Sequence, residues 1–133
     1  MEVAMLASSP VTTVLIVRDA ERSAGFYREQ LGLPHQGRTP DGQEIFSAGG
    51  GSAVALMSDP DAKPSGRTEL SFEVSDISGE IRDLEGRGVT FEDYDLPGLK
   101  TVDHVAEMGS EKAAWFKDPD GNVLCLHEVL ATD

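Results

Sequence analysis

The chain has 133 residues, 39% of them hydrophobic and 26% charged, with 11 basic against 24 acidic side chains and a formal net charge of −13. That length suits one compact domain, or two small halves sharing a core, and excludes two large domains. No apolar run approaches the roughly 20 residues of a membrane helix, and the acidic excess argues against nucleic acid, whose phosphates need clustered Lys and Arg. The charge reads first as solubility and second as attraction for cationic ligands.

The opening stretch, MEVAMLASSP, has an acidic second residue and no basic flank, unlike a secretory signal. The single cysteine permits no internal disulfide, and both features agree with a cytoplasmic location, which is the expectation.

In chain order, the β-branched run VTTVLIV (Val11 to Val17) predicts a strand with both faces covered. Asp19 then stands as an N-cap, and Ala20, Ala24, Tyr27 and Leu31 at helical spacing predict a helix closed by Gly32. Two short strands follow, Gln43 to Phe46 and Ala53 to Met57, joined through Gly49, Gly50 and Gly51. After the polar loop DPDAKPSGR the pattern restarts. Leu70, Phe72 and Val74 alternate with Glu69, Ser71 and Glu73, and Asp76 caps a helix bearing Ile77, Ile81 and Leu84 that ends at Gly88. Val89 to Leu96 reads as a strand, residues 97–110 (PGLKTVDHVAEMGS) as a long loop, and Ala113 to Phe116 with Val123 to His127 as a hairpin across DPDGN.

The chain thus reads as one module written twice, about 10–58 and about 67–130, in a single domain spanning 1–133. FSAGGGSAVALM (46–57) aligns without gaps on FKDPDGNVLCLH (116–127), placing Phe on Phe and Gly51 on Gly121. The predicted fold class is α+β. One such module leaves a sheet face bare, whereas two side by side can curl into an open, barrel-like cup with the helices outside.

VLIVRDAERSAGFYREQLGLP at the front and WFKDPDGNVLCLHEV at the back resemble the vicinal oxygen chelate superfamily, which includes glyoxalase I, extradiol dioxygenases, fosfomycin-resistance proteins and bleomycin-binding proteins. The resemblance implies paired βαβββ modules forming a cup, the glyoxalase/bleomycin-resistance fold, commonly in a homodimer. It also implies where a metal would sit. In metal-dependent members one ligand stands seven residues before each capping Asp and another seven residues after the Asp that opens DPDGN. Those positions here are Thr12, Glu69 and Cys125, and the hairpin alignment adds Ala55. Only Glu69 is a dependable oxygen ligand, and a divalent site needs several carboxylate or imidazole donors together. The expectation is therefore no metal and no other cofactor. A weak Glu69 and Cys125 zinc site helped by His127 is the alternative.

If Thr12, Glu69 and Cys125 face inward, strand alternation brings Val14, Ala55, Met57, Ser71, Glu73 and His127 with them, and the family register adds Trp115. These ten are the expected ligand-binding residues. Each has a plainer reading: Trp115 as core, His127 as a structural or rim histidine, the two glutamates as solvated groups, and Cys125 as an inert buried thiol. The loop 97–110, preceded by Tyr94 and containing Lys100, Asp103 and His104, reads either as a cover for the cup mouth or as an ordinary surface connection.

The function expected is small-molecule binding of the bleomycin-resistance type, sequestering a drug-like or toxic compound without a metal and without need of catalysis. The alternative is a glyoxalase-like lyase or isomerase, metal-dependent or using Glu69 as general base. The expected partners are a small-molecule ligand and a second copy of the chain, with neither nucleic acid nor membrane.

Overall fold

A computed structural model describes residues 6–130. Residues 1–5, on which the secretory-signal expectation rests in part, lie outside the described residues. Two compact units emerge, the first ending at Ala62 and the second beginning at Lys63.

The first unit runs β1 (Thr12–Val17), α1 (Ala20–Gly25, continued as a π-helical turn over Phe26–Gln30), β2 (His35–Arg38), β3 (Glu44–Ser47) and β4 (Ala53–Ser58). Its sheet has the order β1-β4-β3-β2, with β1 parallel to β4 and the other pairs antiparallel. Asp19 caps α1 by accepting a hydrogen bond from the Arg22 N–H. Leu15, Val17, Phe46, Val54 and Leu56 are buried together with Ala20, Ala24 and Tyr27 of the helix.

The second unit repeats this with β5 (Thr68–Glu73), α2 (Ile77–Gly86), β8 (Ala106–Met108), β9 (Glu111–Lys117) and β10 (Val123–Val129). The order is β5-β10-β9-β8, with β5 parallel to β10. A small hairpin, β6 (Asp95–Leu96) and β7 (Leu99–Lys100), is inserted after the helix. Asp76 caps α2 through the Gly79 N–H, and Ile77, Ile81 and Leu84 are buried with Leu124, Leu126 and Phe116. Each unit is thus a βαβββ module in a mixed α+β chain. Register repeats as well as topology: Phe46 pairs with Val54 and Phe116 with Leu124, the same positions in the two hairpins.

The turns also correspond. Gly51 and Gly121 both take positive φ, at 79° and 89°, where a side chain would be strained. The DPDGN turn is built around Asp118, a buried carboxylate that accepts from the Asp120 N–H, the Asn122 N–H and the Asn122 Nδ2, each at 2.9 Å. It explains the strength of this turn in the sequence.

Three expectations change. Residues 35–38 form β2 although HQGR carries no apolar alternation. The strand is held by β3 and by the buried Glu44, whose carboxylate lies 2.7 Å from Arg38 Nε and 3.2 Å from His35 Nε2. Val89 to Leu96 is not one strand: Phe91 makes a single bridge to Phe116, packing ring on ring at 5.3 Å, and only Asp95–Leu96 pairs onward. Residues 97–110 are not simply a loop, since they supply β7 and β8, the latter completing the second sheet.

Candidate functional site

In the first unit the expected residues share one sheet face. Val14 pairs with Ala55, Ile16 with Met57 and Thr12 with Ala53, while Ile45 stands across Ala55 on β3. Leu15 and Val17 point the other way into the core, leaving Val14 at 47%, Ile16 at 42% and Met57 at 37% exposure. Thr12 is exposed and Ala55 is buried. The face is an apolar wall with a single hydroxyl at its edge.

The second unit carries the polar chemistry. Cys125 lies in register with Ser71 on one side and Trp115 on the other, and His127 with Glu73 and Ala113. Ser71 Oγ is 2.5 Å from His127 Nδ1, and His127 Nε2 is 3.6 Å from Glu73 Oε1. With the Nε2 proton turned to the carboxylate, Nδ1 accepts the Ser71 hydroxyl, so hydroxyl, imidazole and carboxylate form one row across two strands. Trp115 meets the Tyr94 ring edge-on at 5.5 Å. Cys125 is only 6% exposed, and burial pushes its thiol pKa up, opposed by the Ser71 hydroxyl. The thiol donates to the Leu126 carbonyl at 3.2 Å.

Glu69 stands apart from this row. The β5–β10 pairing is irregular at this point, Val123 opposing Thr68 and Leu124 opposing Leu70, so Glu69 has no partner in the ladder. Its carboxylate is exposed and accepts from Ser65 Oγ at 2.5 Å. The turn around His104 packs beside α2. Its Nδ1 is 2.9 Å from Asp93 and its Nε2 3.4 Å from Glu85, a residue of α2. Sequence reasoning missed the Tyr94–Trp115 pair and the direct Ser71–His127 contact. Strand alternation placed Ser71 and His127 on one sheet face, but their contact depends on the β5–β10 register, which the residues alone do not record.

The ligand positions implied by the resemblance were tested against their chemistry. Thr12 offers a neutral hydroxyl, Ala55 no donor at all, Cys125 a thiol kept protonated by burial, and Glu69 one carboxylate already engaged by Ser65. Such a set does not fit a divalent ion, which needs several anionic or imidazole donors to offset its lost hydration. Among the described residues no group of three or more His, Cys, Asp or Glu side chains is arranged to hold a metal, and no helix is long and apolar enough to cross a membrane.

A solved structure from Sphaerobacter thermophilus DSM 20745, a member of the Glyoxalase/bleomycin resistance protein/dioxygenase superfamily, is similar with a TM-score of 0.72 and 28% identity, covering 93% of this chain and 99% of that one. TnmS3, an antibiotic binding protein from Streptomyces sp. CB03234, shares the fold at TM-score 0.62 and 22% identity, covering 92% and 98%. So does lactoylglutathione lyase from Agrobacterium tumefaciens, at TM-score 0.66 and 20% identity, covering 91% and 93%. Residues 9–126, nearly all of both βαβββ modules, match the sequence profile of the Glyoxalase/Bleomycin resistance protein/Dioxygenase superfamily, and the chain belongs to that superfamily.

Proposed function

We propose that the protein binds and sequesters a drug-like or toxic small molecule without a metal, in the manner of the bleomycin-resistance proteins, as a cytoplasmic homodimer. The observation that carries this reading is Cys125. At a position where the resemblance puts a metal-ligating glutamate, the chain has a buried thiol whose pKa burial raises and which spends its proton on the Leu126 carbonyl. A neutral thiol is a poor ligand and a poor nucleophile, but a good apolar wall for a cavity.

The side chains of each unit suit recognition. In the second unit the Trp115–Tyr94 pair offers an aromatic surface and the Ser71–His127–Glu73 row offers hydrogen bonds and a negative end; the first unit, taken by itself, offers apolar area at Val14, Ile16 and Met57. The ligand class that matches is a flat, mostly apolar molecule with hydrogen-bonding or cationic groups. The likeness to TnmS3, itself an antibiotic binding protein, supports this class.

A second reading is a glyoxalase-like lyase or isomerase, with Glu69 as the base expected from sequence. It is favoured by the imidazole of His127 placed between a hydroxyl and a carboxylate, an arrangement able to move a proton. One experiment separates the readings. Trp115, the single tryptophan, reports binding by fluorescence as aromatic, cationic and natural-product ligands are titrated with and without a chelator. Saturation at micromolar concentration or tighter, unchanged by the chelator and with the ligand recovered intact, is the expected result. Absence of saturation across the panel overturns the binding role, and chemical conversion of the ligand moves the second reading to the front.

A further inference from the structure

We infer that the second unit has another binding site, on the opposite face of its sheet, for a small zwitterion of the amino-acid or dipeptide class. A recess of about 450 Å³ opens there, lined by Lys100, Lys112, Asp103, Glu107, Val102 and Val105 among others. Strand alternation assigns the face. Ala113 stands in register with His127 on the Cys125 side, so Lys112 points away from it, toward α2. Glu128, paired with Lys112, confirms the direction: its carboxylate accepts the Ile77 N–H at the start of α2, at 2.9 Å. This recess is therefore separate from the Ser71–His127–Glu73 row.

The four charges are what distinguish it. Like Arg22, Lys63, Arg67 and Arg82, neither Lys100 nor Lys112 has an ion-pair partner within 4.0 Å among the described residues, although Asp95 and Glu107 are their cross-strand neighbours; what sets these two apart is that they share a recess with two carboxylates. Asp103 and Glu107 are likewise without a cation. Two ammonium groups and two carboxylates thus line one concave surface without neutralising one another, and Val102, itself 65% exposed, and Val105 add apolar area beside them. A ligand with a carboxylate at one end and an ammonium at the other satisfies both pairs, whereas a simple anion or cation meets repulsion from one of them. The volume lies in the lower part of the range for small-molecule sites, roughly 300–1,000 Å³, and accommodates a dipeptide.

The wall that carries Val102, Asp103 and Val105 is held in place. Val102 and Val105 exchange backbone hydrogen bonds at 2.8 and 3.0 Å around a two-residue turn in which Asp103 and His104 both take positive φ, 53° and 72°. Non-glycine residues at such angles are strained, and the His104 ring, lodged between Asp93 and Glu85, keeps the turn closed. The backbone at Asp103 is thereby held, and its exposed side chain lines the recess.

The test uses the dipeptide Gly-Leu with two blocked forms, N-acetyl-Gly-Leu, which lacks the ammonium, and Gly-Leu amide, which lacks the carboxylate. Binding is followed by backbone amide shifts of the whole isotopically labelled chain. Saturable shifts at residues 102–107 are expected with Gly-Leu, weakened about fivefold by either block and to a similar degree by Lys112→Gln or Asp103→Asn, since each removes one half-exposed ion pair. The inference is overturned if those amides do not shift, if both blocked peptides bind as well as Gly-Leu, or if correctly folded Lys112→Gln and Asp103→Asn leave binding unchanged.

Discussion

The two sheets carry the same register and different chemistry. On the helix side, Leu15, Leu56 and Phe46 of the first answer to Phe72, Leu126 and Phe116 of the second, apolar in both. On the opposite side, Val14, Ala55 and Ile45 of the first answer to Ser71, Cys125 and Trp115 of the second. The helix-facing positions are constrained because each sheet must bury a face against its helix, and a polar substitution there loses burial without gaining a partner. The other face bears no such demand, and there one module presents an apolar wall while its counterpart presents a hydroxyl, a thiol, an imidazole and an indole. Function in this chain is therefore expected to vary on the face that the repeat leaves unconstrained.

The equivalence of the helix-facing positions is broken or sharpened by truncating them in parallel. Phe46→Ala and Phe116→Ala each remove a fully buried ring, and each is expected to cost about 3–5 kcal/mol in chemical denaturation. A much smaller cost in one of them shows that the two cores are not equivalent despite their shared register. The hairpin turns provide the next contrast, because only the second is tied by a buried side chain. Asp118→Ala leaves the Asp120 and Asn122 N–H groups and the Asn122 amide without their acceptor, with an expected loss of roughly 2–4 kcal/mol. The corresponding first-module residue is Ala48, which already lacks such a group, so the second turn at Ala level measures what the carboxylate adds.

The smallest effect concerns Cys125 against Ala55. A thiol with its pKa raised by burial favours the protonated folded state, so its contribution is complete below the ordinary thiol pKa of about 8.5 and is lost as the pH rises from there through the folded value. Wild type is expected to lose stability over that range faster than Cys125→Ala, by no more than about 1.4 kcal/mol per pH unit for a single group. Parallel pH profiles from urea denaturation show a thiol that is not held neutral, and remove the argument that Cys125 is a poor ligand.

The module order, both Asp caps and the DPDGN turn were legible in the residues, because each depends on contacts within a few positions. Asp19 and Asp76 accept from N–H groups three residues on, and Asp118 from groups two and four residues on. The face assignment of Val14, Ala55, Ser71, Cys125 and His127 was legible too, since strand alternation is local. β2 and β8 were not, for HQGR and AEM have no periodic apolar signal and become strands because a neighbouring strand offers hydrogen bonds and, for β2, because Glu44 holds Arg38 and His35.

Apart from β2 and the stretch from 89 to 110, the sequence by itself thus determined which elements form, which sheet face Val14, Ala55, Ser71, Cys125 and His127 take, and that the ligand positions implied by family resemblance hold Thr12, Ala55 and Cys125. Only the tertiary structure decided which of those groups meet. Ser71 reaches His127 across 56 residues through the parallel pairing of β5 with β10, while an irregularity one pair earlier leaves Glu69 beside Ser65 instead. Lys100 and Lys112, unremarkable in the chain, line one recess because a hairpin and a central strand are brought to the same side of α2. Contacts of that kind depend on register between distant segments, and register is set by the packing of whole sheets, which no local pattern records.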